Sequence, residues 1–485
     1  MTFFNRTAAC WLLALTHLVG SWFASHTAHA APASGSRPNV LFLFADDFTY
    51  EAIRAFGHTD IDTPHLDRLV ARGTTFSHAY NMGSWSGAVC VASRTMLITG
   101  RSVWDANRIY NTTDAERDAG VLWPQLLSKA GYRTYMTGKW HLRTDAEKCF
   151  DVARHVRPGM PKDTPSAYAR PPAEGADPWS PSDRSLGGFW EGGAHWSEVT
   201  ANDCIDFLGD SAEYDQPAFF YVAFNAPHDP RQSPQEFLDR YPLERIKLPE
   251  PFLPEYPYAE AIGAGHGLRD EKLAPFPRTE RAVKVHRREY YALITHLDEQ
   301  IGRIIDALDA SGEAENTWIF FTADHGLAVG HHGLLGKQNS YDHSTRVPFI
   351  VAGPGVKAGV TDATPIYLQD VMATTLDLAD AEKPEHVFYK SLLPRLAEES
   401  TPPPYESIYG SYLDRQRSIT HDGWKLIVYP QANAARLYHL AEDPGETVDL
   451  AGNPQHAAQL STLFDRLVRL QRDLGDTVDL AARRP

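Results

Sequence analysis

The chain predicts an α/β fold: a mainly parallel sheet flanked by helices, with a smaller C-terminal antiparallel sheet subdomain. Three observations carry that prediction. Several nearly continuous apolar runs stop abruptly in polar, reactive residues, the pattern of strands buried on both faces. Helical patterns lie between those runs, and strands alternating with helices make a parallel sheet. Past Pro402-Pro403-Pro404 the runs become short and β-like, with one helix after them.

In order, residues 1–30 read as a secretory signal. Arg6 supplies the charged start, Cys10 to Phe23 the apolar stretch, and Ala28-His29-Ala30 a small-residue cleavage site. The apolar stretch is short and contains His17, and no later stretch is apolar enough to span a bilayer. The expectation is export to the periplasm or medium, with no membrane span after signal cleavage. An α/β domain is expected over 37–400 and an α+β subdomain over 401–485.

The first strand is Asn39 to Ala45, ending in Asp46-Asp47. Tyr132 to Thr137 runs into Gly138-Lys139-Trp140-His141, Ala218 to Phe224 into Asn225-Ala226-Pro227-His228, and Thr317 to Ala323 into Asp324-His325-Gly326. Thr63 and Pro64 predict a helix cap and first turn, with Gly73 as the stop. Further helices are expected at Val121 to Ala130 and Val199 to Leu208. A long one is marked by the apolar stripe Tyr290, Leu293, Leu297, Ile301, Ile304 and Leu308. Arg154 to Gly193 and Pro242 to Pro277 break the rhythm and read as long functional loops. Short strands are expected at Ser407 to Tyr412, Arg417 to His421, Trp424 to Tyr429 and Arg436 to Leu440, then a helix over Pro454 to Leu474.

With 485 residues, 43% of them hydrophobic, the chain is long enough for one large domain and a smaller one. A formal net charge of -16 argues against a nucleic-acid partner. Any site for an anionic substrate must therefore be locally basic within an acidic protein.

In open parallel sheets ligands bind beyond the carboxyl ends of the strands, so the four strand-end clusters are expected to converge. Asp46 and Asp47 are adjacent carboxylates whose repulsion favours a cation between them. Asp324, with His325 beside it, could complete an oxygen-rich cage for Ca²⁺ or Mg²⁺. Alternation along an extended segment would put Lys139 and His141 on one side. His228 and Lys337 lie in similar settings. Cys90-Val91-Ala92-Ser93-Arg94 opens an apolar helical run, so Cys90 would face the unpaired N–H groups and positive end of a helix, a ready anion site. Arg94 adds a charge one turn on.

The run from Cys90 to Gly100 resembles the sulfatase pattern Cys-x-(Pro or Ala)-Ser-Arg-x4-Thr-Gly, with Ala92 where proline is commoner. The segment from Asp422-Gly423-Trp424-Lys425-Leu426 to Asp443-Pro444 is similar to the sulfatase C-terminal subdomain, so the resemblance spans nearly the whole mature chain. It implies an alkaline-phosphatase-like fold and sulfuric ester hydrolysis. It also implies that a formylglycine-generating maturation enzyme oxidises Cys90 to formylglycine. One hydroxyl of the hydrated aldehyde attacks sulfur, and the other later expels sulfate by reforming the carbonyl. Carried over, Asp46, Asp47, Asp324 and His325 hold the metal with the modified Cys90. Arg94 and Lys139 steady the sulfate, His141 assists the second hydroxyl, and His228 and Lys337 stabilise or protonate the leaving oxygen.

Export and the long loops suggest a sulfated carbohydrate. Arylsulfatase-like or choline-sulfatase-like activity on small esters is an alternative, as is phosphodiester or phosphonate monoester hydrolysis within the same superfamily. His195, Asp229 and Arg231, with Glu198, are candidate sugar contacts, and Trp179 and Trp190 candidate stacking platforms. If Cys90 is consumed as the aldehyde, Cys149 and Cys204 either pair as a disulfide or remain as two buried thiols.

Overall fold

The apolar runs assemble side by side at the centre of one sheet. In the computed structural model, which describes residues 37–484, this sheet holds β1 (Asn39–Ala45), β2 (Thr74–Phe76), β3 (Arg133–Lys139), β4 (Val152–Arg157), β5 (Ala218–Ala223), β6 (Thr317–Ala323), β7 (Phe349–Ala352) and β8 (Val360–Asp362). The strand order is β8-β2-β7-β6-β1-β5-β3-β4. Only β7 runs antiparallel to its neighbours. The expected signal segment, with Cys10, lies outside the described residues.

All of β5 and β6 is buried, as their unbroken apolar character requires. Four strands lack that signature. β2, β7 and β8 are only three or four residues long. β4 is a half-exposed edge with charged residues, and it takes the first four residues of the expected loop at Arg154.

The helices of the fold include α1 (Pro64–Arg72), α2 (Val89–Thr99), α3 (Trp123–Lys129), α4 (Trp196–Ser211), α5 (Glu280–Ser311) and α6 (Ala457–Asp473). α5 starts where Thr279 Oγ1 accepts a hydrogen bond from Ala282 N, and stops at Gly312 in the left-handed region. Thr63 occupies the N-cap position of α1 but does not cap it. Its hydroxyl donates to Asp67 and accepts from Arg54 N. Asp298 of α5 caps α1 instead, accepting from His65 N at 3.1 Å and Leu66 N at 2.7 Å. α1 ends at Gly73, where a Cβ would sit 2.1 Å from Val351 O of β7. α4 begins three residues before the expected start because His195 caps it, accepting from Ser197 N.

The C-terminal sheet comprises β9 (Ile408–Tyr412), β10 (Gln416–His421), β11 (Trp424–Tyr429) and β12 (Ala434–His439), all antiparallel. A two-residue strand, Gly83–Ser84, adds to β9 in parallel. Tyr80, Met82 and Met96 share a core with Ile408, Leu426 and Leu463. Packing therefore crosses the expected boundary at residue 400, and α2, buried at every residue, is wedged between both sheets.

Cys149 and Cys204 are not bonded to each other. Cys149 Sγ donates to Asp145 O, and Cys204 lies in the main core on α4. They are two buried thiols, the second of the readings left open. No helix among the described residues is long and apolar enough to cross a membrane.

Candidate active site

Cys90 is the second residue of α2, in the first turn behind the N-cap Ala88, at the positive end of the helix. Five other segments bring polar side chains to it. Asp46 and Asp47 follow β1. Lys139 ends β3, and His141 lies two residues on. His228 follows β5, Asp324 and His325 follow β6, and Lys337 comes from the loop beyond.

Backbone geometry aims each group. Asp47 has φ +65, which turns the chain at the end of β1. Its N–H points at Asp324 Oδ1, while Tyr290 of α5 donates to Asp47 O at 2.6 Å. Asn81 Nδ2 and Ser93 Oγ both donate to Asp324 O, fixing the end of β6. In β3 the ladder register shifts between Thr137 and Gly138, a bulge that re-aims Lys139. A Cβ at Gly138 would lie 1.9 Å from Ala223 O, so only glycine allows β3 to approach β5 there. His141 has φ +57 and is not on an extended segment. It reaches the same site as Lys139 by a left-handed turn, not by the strand alternation expected from sequence.

The buried charges form one network. Arg94 Nε donates to Asp324 Oδ2 at 3.0 Å, Nη1 donates to Lys139 O at 3.0 Å, and the guanidinium lies over the Phe44 ring. Lys139 Nζ donates to Asp46 Oδ2. Lys337 Nζ donates to both oxygens of Asp47, at 2.8 and 3.0 Å, and sits 3.5 Å from Cys90 Sγ. His325 Nδ1 faces Gly326 O at 2.9 Å, leaving Nε2 3.2 Å from Asp47 Oδ1 and 3.5 Å from Asp324 Oδ1. His228 Nδ1 faces Asp229 O at 2.7 Å, and its Nε2 lies 3.8 Å from Asp47 Oδ2.

These surroundings set the protonation states. Burial alone would raise the Cys90 thiol, but Lys139 and Lys337, with His141 and His228, hold it well below its ordinary range. Burial, then the neighbouring Asp324 charge, pushes Asp46 well up. Asp324 goes the other way: burial is outweighed by His325 and Arg94. His325 is raised because Asp324 and Asp47 outweigh its burial.

The donor set fits a divalent cation. Ligand atoms of Asp46, Cys90, Asp324 and His325 lie within 4.8 Å of one another, and so do those of Asp46, Asp47, Cys90 and His228. Asp46 Oδ1 and His325 Nε2 are buried without a hydrogen-bond partner, and both face this cluster. Carboxylate oxygens suit Ca²⁺ or Mg²⁺.

A cavity of about 480 Å³ opens in front of Cys90 and is also lined by His141, His228 and Lys337. Its far wall comes from both long loops, through Pro158–Met160 and Leu268–Asp270. Gly159 packs on His141, where a Cβ would come 2.4 Å from the ring.

The four expected sugar contacts do not line this cavity. His195 is wholly buried as the α4 cap, with Nε2 facing Gln232 O and its ring stacked on Phe189. Arg231 is buried with Nη1 against His286 Nδ1. Glu198 faces His296 outside the cavity. Asp229 sits behind the wall, where it accepts from Arg269. Trp179 and Trp190 are buried beneath Arg170 and Arg184 and offer no open face for a sugar. Sequence reasoning missed Arg269, Asp270 and Gln338 on the wall, and Glu271 behind them. Glu271 accepts from Leu335 N and Gly336 N and so holds the Lys337 loop. Their only signal was membership of a long aperiodic loop or adjacency to Lys337.

The sulfatase family profile matches residues 38–381, and that of the N-sulphoglucosamine sulphohydrolase C-terminal region matches 330–473. An arylsulfatase of Clostridium perfringens is 26% identical over 482 residues, covering 89% of this chain and 94% of that one. An N-acetylglucosamine-6-O-sulfatase of Bacteroides thetaiotaomicron is 25% identical over 507 residues, covering 90% and 86%. Among solved structures, a protein in complex with its substrate D-glucosamine-2-N,6-O-disulfate superimposes with a TM-score of 0.72, covering 91% of this chain and 99% of that one at 23% identity.

Proposed function

Because the chain belongs to the sulfatase family and is a sulfuric ester hydrolase, we propose that it is an exported, formylglycine-dependent enzyme that releases sulfate from sulfated carbohydrates. The observation that carries the reading is the convergence on Cys90 of Asp46, Asp324, Lys139 and His228 from separate strand ends and of Lys337 from the loop beyond β6. The composition of residues 1–30 supports export, and the N-acetylglucosamine-6-O-sulfatase relative supports a saccharide.

Asp46, Asp47, Asp324 and His325 would hold a divalent cation, Ca²⁺ with Mg²⁺ as the alternative, which supplies Lewis-acid polarisation of a sulfate oxygen. Formylglycine made from Cys90 would supply the oxygen nucleophile and a route for expelling sulfate.

The rest is done by fixed side chains. Arg94, Lys139 and Lys337 provide three buried positive charges around the anion, held in place before substrate arrives. Lys337 and His228 line the cavity and are placed to give a proton to the departing alcohol oxygen. His228 keeps its Nε2 toward the site because Nδ1 is committed to Asp229 O. His141, its pKa lowered by burial, is neutral at pH 7 and able to accept a proton from a hydroxyl at residue 90. The N-terminal N–H groups of α2 add to the anion field.

The test is sulfate release from defined sulfated mono- and oligosaccharides by wild-type protein and the Cys90→Ala variant. Release by the first and none by the second is expected. Equal release by both would end the proposal.

A further inference from the structure

Among the described residues, the C-terminal subdomain puts no side chain into the cavity in front of Cys90; the last residue that lines it is Gln338. Yet the first hairpin of that subdomain is bonded to three of the segments that build the site. Leu413 N, in the turn after β9, donates to Ser84 O at 2.8 Å, on the approach to Cys90. Arg415 Nη1 donates to Glu260 O at 3.2 Å, in the long loop that also supplies the far wall. Gln416, the first residue of β10, reaches the segment that carries Lys337.

The Gln416 side chain is wholly buried, and both ends of its amide are used. Nε2 donates to Gln338 O and to Ile262 O, both at 2.9 Å, and Oε1 accepts from Ser340 Oγ at 3.0 Å. Two carbonyl acceptors can be served only by the NH₂ end, so the amide has one orientation. Lys337 is thereby held from both sides. Glu271 accepts from Leu335 N and Gly336 N and fixes the chain before it. Gln416 fixes the chain after it. Gln338 carries the constraint to the cavity: its Oε1 accepts from Lys337 N at 3.0 Å, and its Nε2 donates to Asp270 Oδ2 at 2.8 Å and Gly87 O at 3.2 Å. One anchor fixes where a backbone lies; anchors on both sides of a residue also fix where its side chain points.

We propose that Gln416 is a positioning residue for Lys337, through which the C-terminal subdomain sets where that ammonium stands beside Cys90. This deepens the sulfatase reading and rests on the leaving-group role given there to Lys337. Gln416 does not line the cavity and takes no chemical part.

The test is a double-mutant cycle read on hexyl sulfate and phenyl sulfate. Gln416→Met keeps the length of the side chain and removes its hydrogen bonds. It should lower kcat on hexyl sulfate by about tenfold or more, a share of the roughly 10²–10⁴-fold effect of a placed proton donor. KM should hardly change, and the loss on phenyl sulfate should be smaller, because phenolate leaves with less help. In the Lys337→Ala background the same substitution should change kcat by no more than about twofold, since nothing is left for it to position. A glutamine that only supports the fold would cost the same factor in both backgrounds and on both esters, and that result overturns the proposal. If Gln416→Met does not fold, Ser340→Ala, which frees the Gln416 oxygen, goes through the same cycle. A loss that vanishes without Lys337 then upholds the proposal, and an equal loss or none overturns it. If Lys337→Ala leaves kcat unchanged on both esters, the leaving-group role falls and the positioning role with it. If Lys337→Ala slows hexyl sulfate while the two substitutions are additive, only the positioning role falls. No sulfate release from either ester by wild-type protein overturns both readings.

Discussion

Lys337 Nζ sits 3.5 Å from Cys90 Sγ, although the two residues are 247 apart in sequence. The lysine is pulled there by Asp47, and its loop is held from behind by Glu271 through Leu335 N and Gly336 N. Charge pairing and backbone clamping together hold the ammonium beside Cys90, the position that the proposed leaving-group role requires.

Lys337→Ala should therefore lower kcat by about 10²–10⁴-fold, the usual worth of a placed proton donor. The loss should be larger for alkyl sulfates than for aryl sulfates, because a phenolate leaves with less help. Steady-state kinetics on a matched alkyl and aryl pair checks this. A uniform rise in KM with kcat unchanged would mean that the lysine only binds.

Gly159→Ala puts a methyl group against the His141 ring. The ring must move, while the surrounding backbone has no other reason to. Displacing a catalytic group by about 1 Å costs about 10²-fold, so kcat should fall by that order with thermal stability nearly unchanged. Activity measured beside a melting curve separates the two effects.

Chelation should abolish sulfate release without unfolding the chain. Three buried carboxylates, Asp46, Asp47 and Asp324, are already matched by Arg94, Lys139 and Lys337, so the site is not left as bare repelling charge. Saturation at a hundred times Kd adds about 2.7 kcal/mol of stability. Tm should accordingly drop modestly with chelator and recover on adding back Ca²⁺ or Mg²⁺. The ion that also restores sulfate release identifies the metal.

Asp298 ties α5 to the first turn of α1, and burial pushes its carboxyl up to about 7. An exposed aspartate titrates near 4, about three units lower. Between those values the folded chain holds more protons at this group than the unfolded chain, so stability falls as pH rises from about 4 through about 7. Asp298→Ala should flatten that part of the slope. It should also cost about 1–3 kcal/mol by leaving His65 N and Leu66 N unpaired. Denaturant melts across that pH range measure both.

The parallel sheet was readable because β1, β5 and β6 are buried on both faces and so are apolar without interruption. The same logic located Asp46, His228 and Asp324, since polar residues at the carboxyl ends of such strands need a reason to be there. Short strands such as β2 and β8 carry too few residues to show a period, and β4 lies at an exposed edge. Lys139 and His141 were rightly paired but for a mistaken reason: a bulge at Gly138 and a left-handed turn at His141 do the aiming. His195 looked like a ligand contact and is a helix cap, a use of histidine that its sequence context does not reveal. Arg269 and Asp270 were hidden because loops have no period, and their importance comes from which side chains surround them in space.

The central claim is that Cys90 is the residue the site is built to use after oxidation. The most direct measurement is the intact mass of the peptide carrying residue 90, taken from enzyme whose sulfate-release rate has been determined. The account predicts a peptide that has lost the thiol sulfur and gained an aldehyde oxygen, in proportion to activity. Full activity in protein whose residue 90 is entirely free thiol would contradict it.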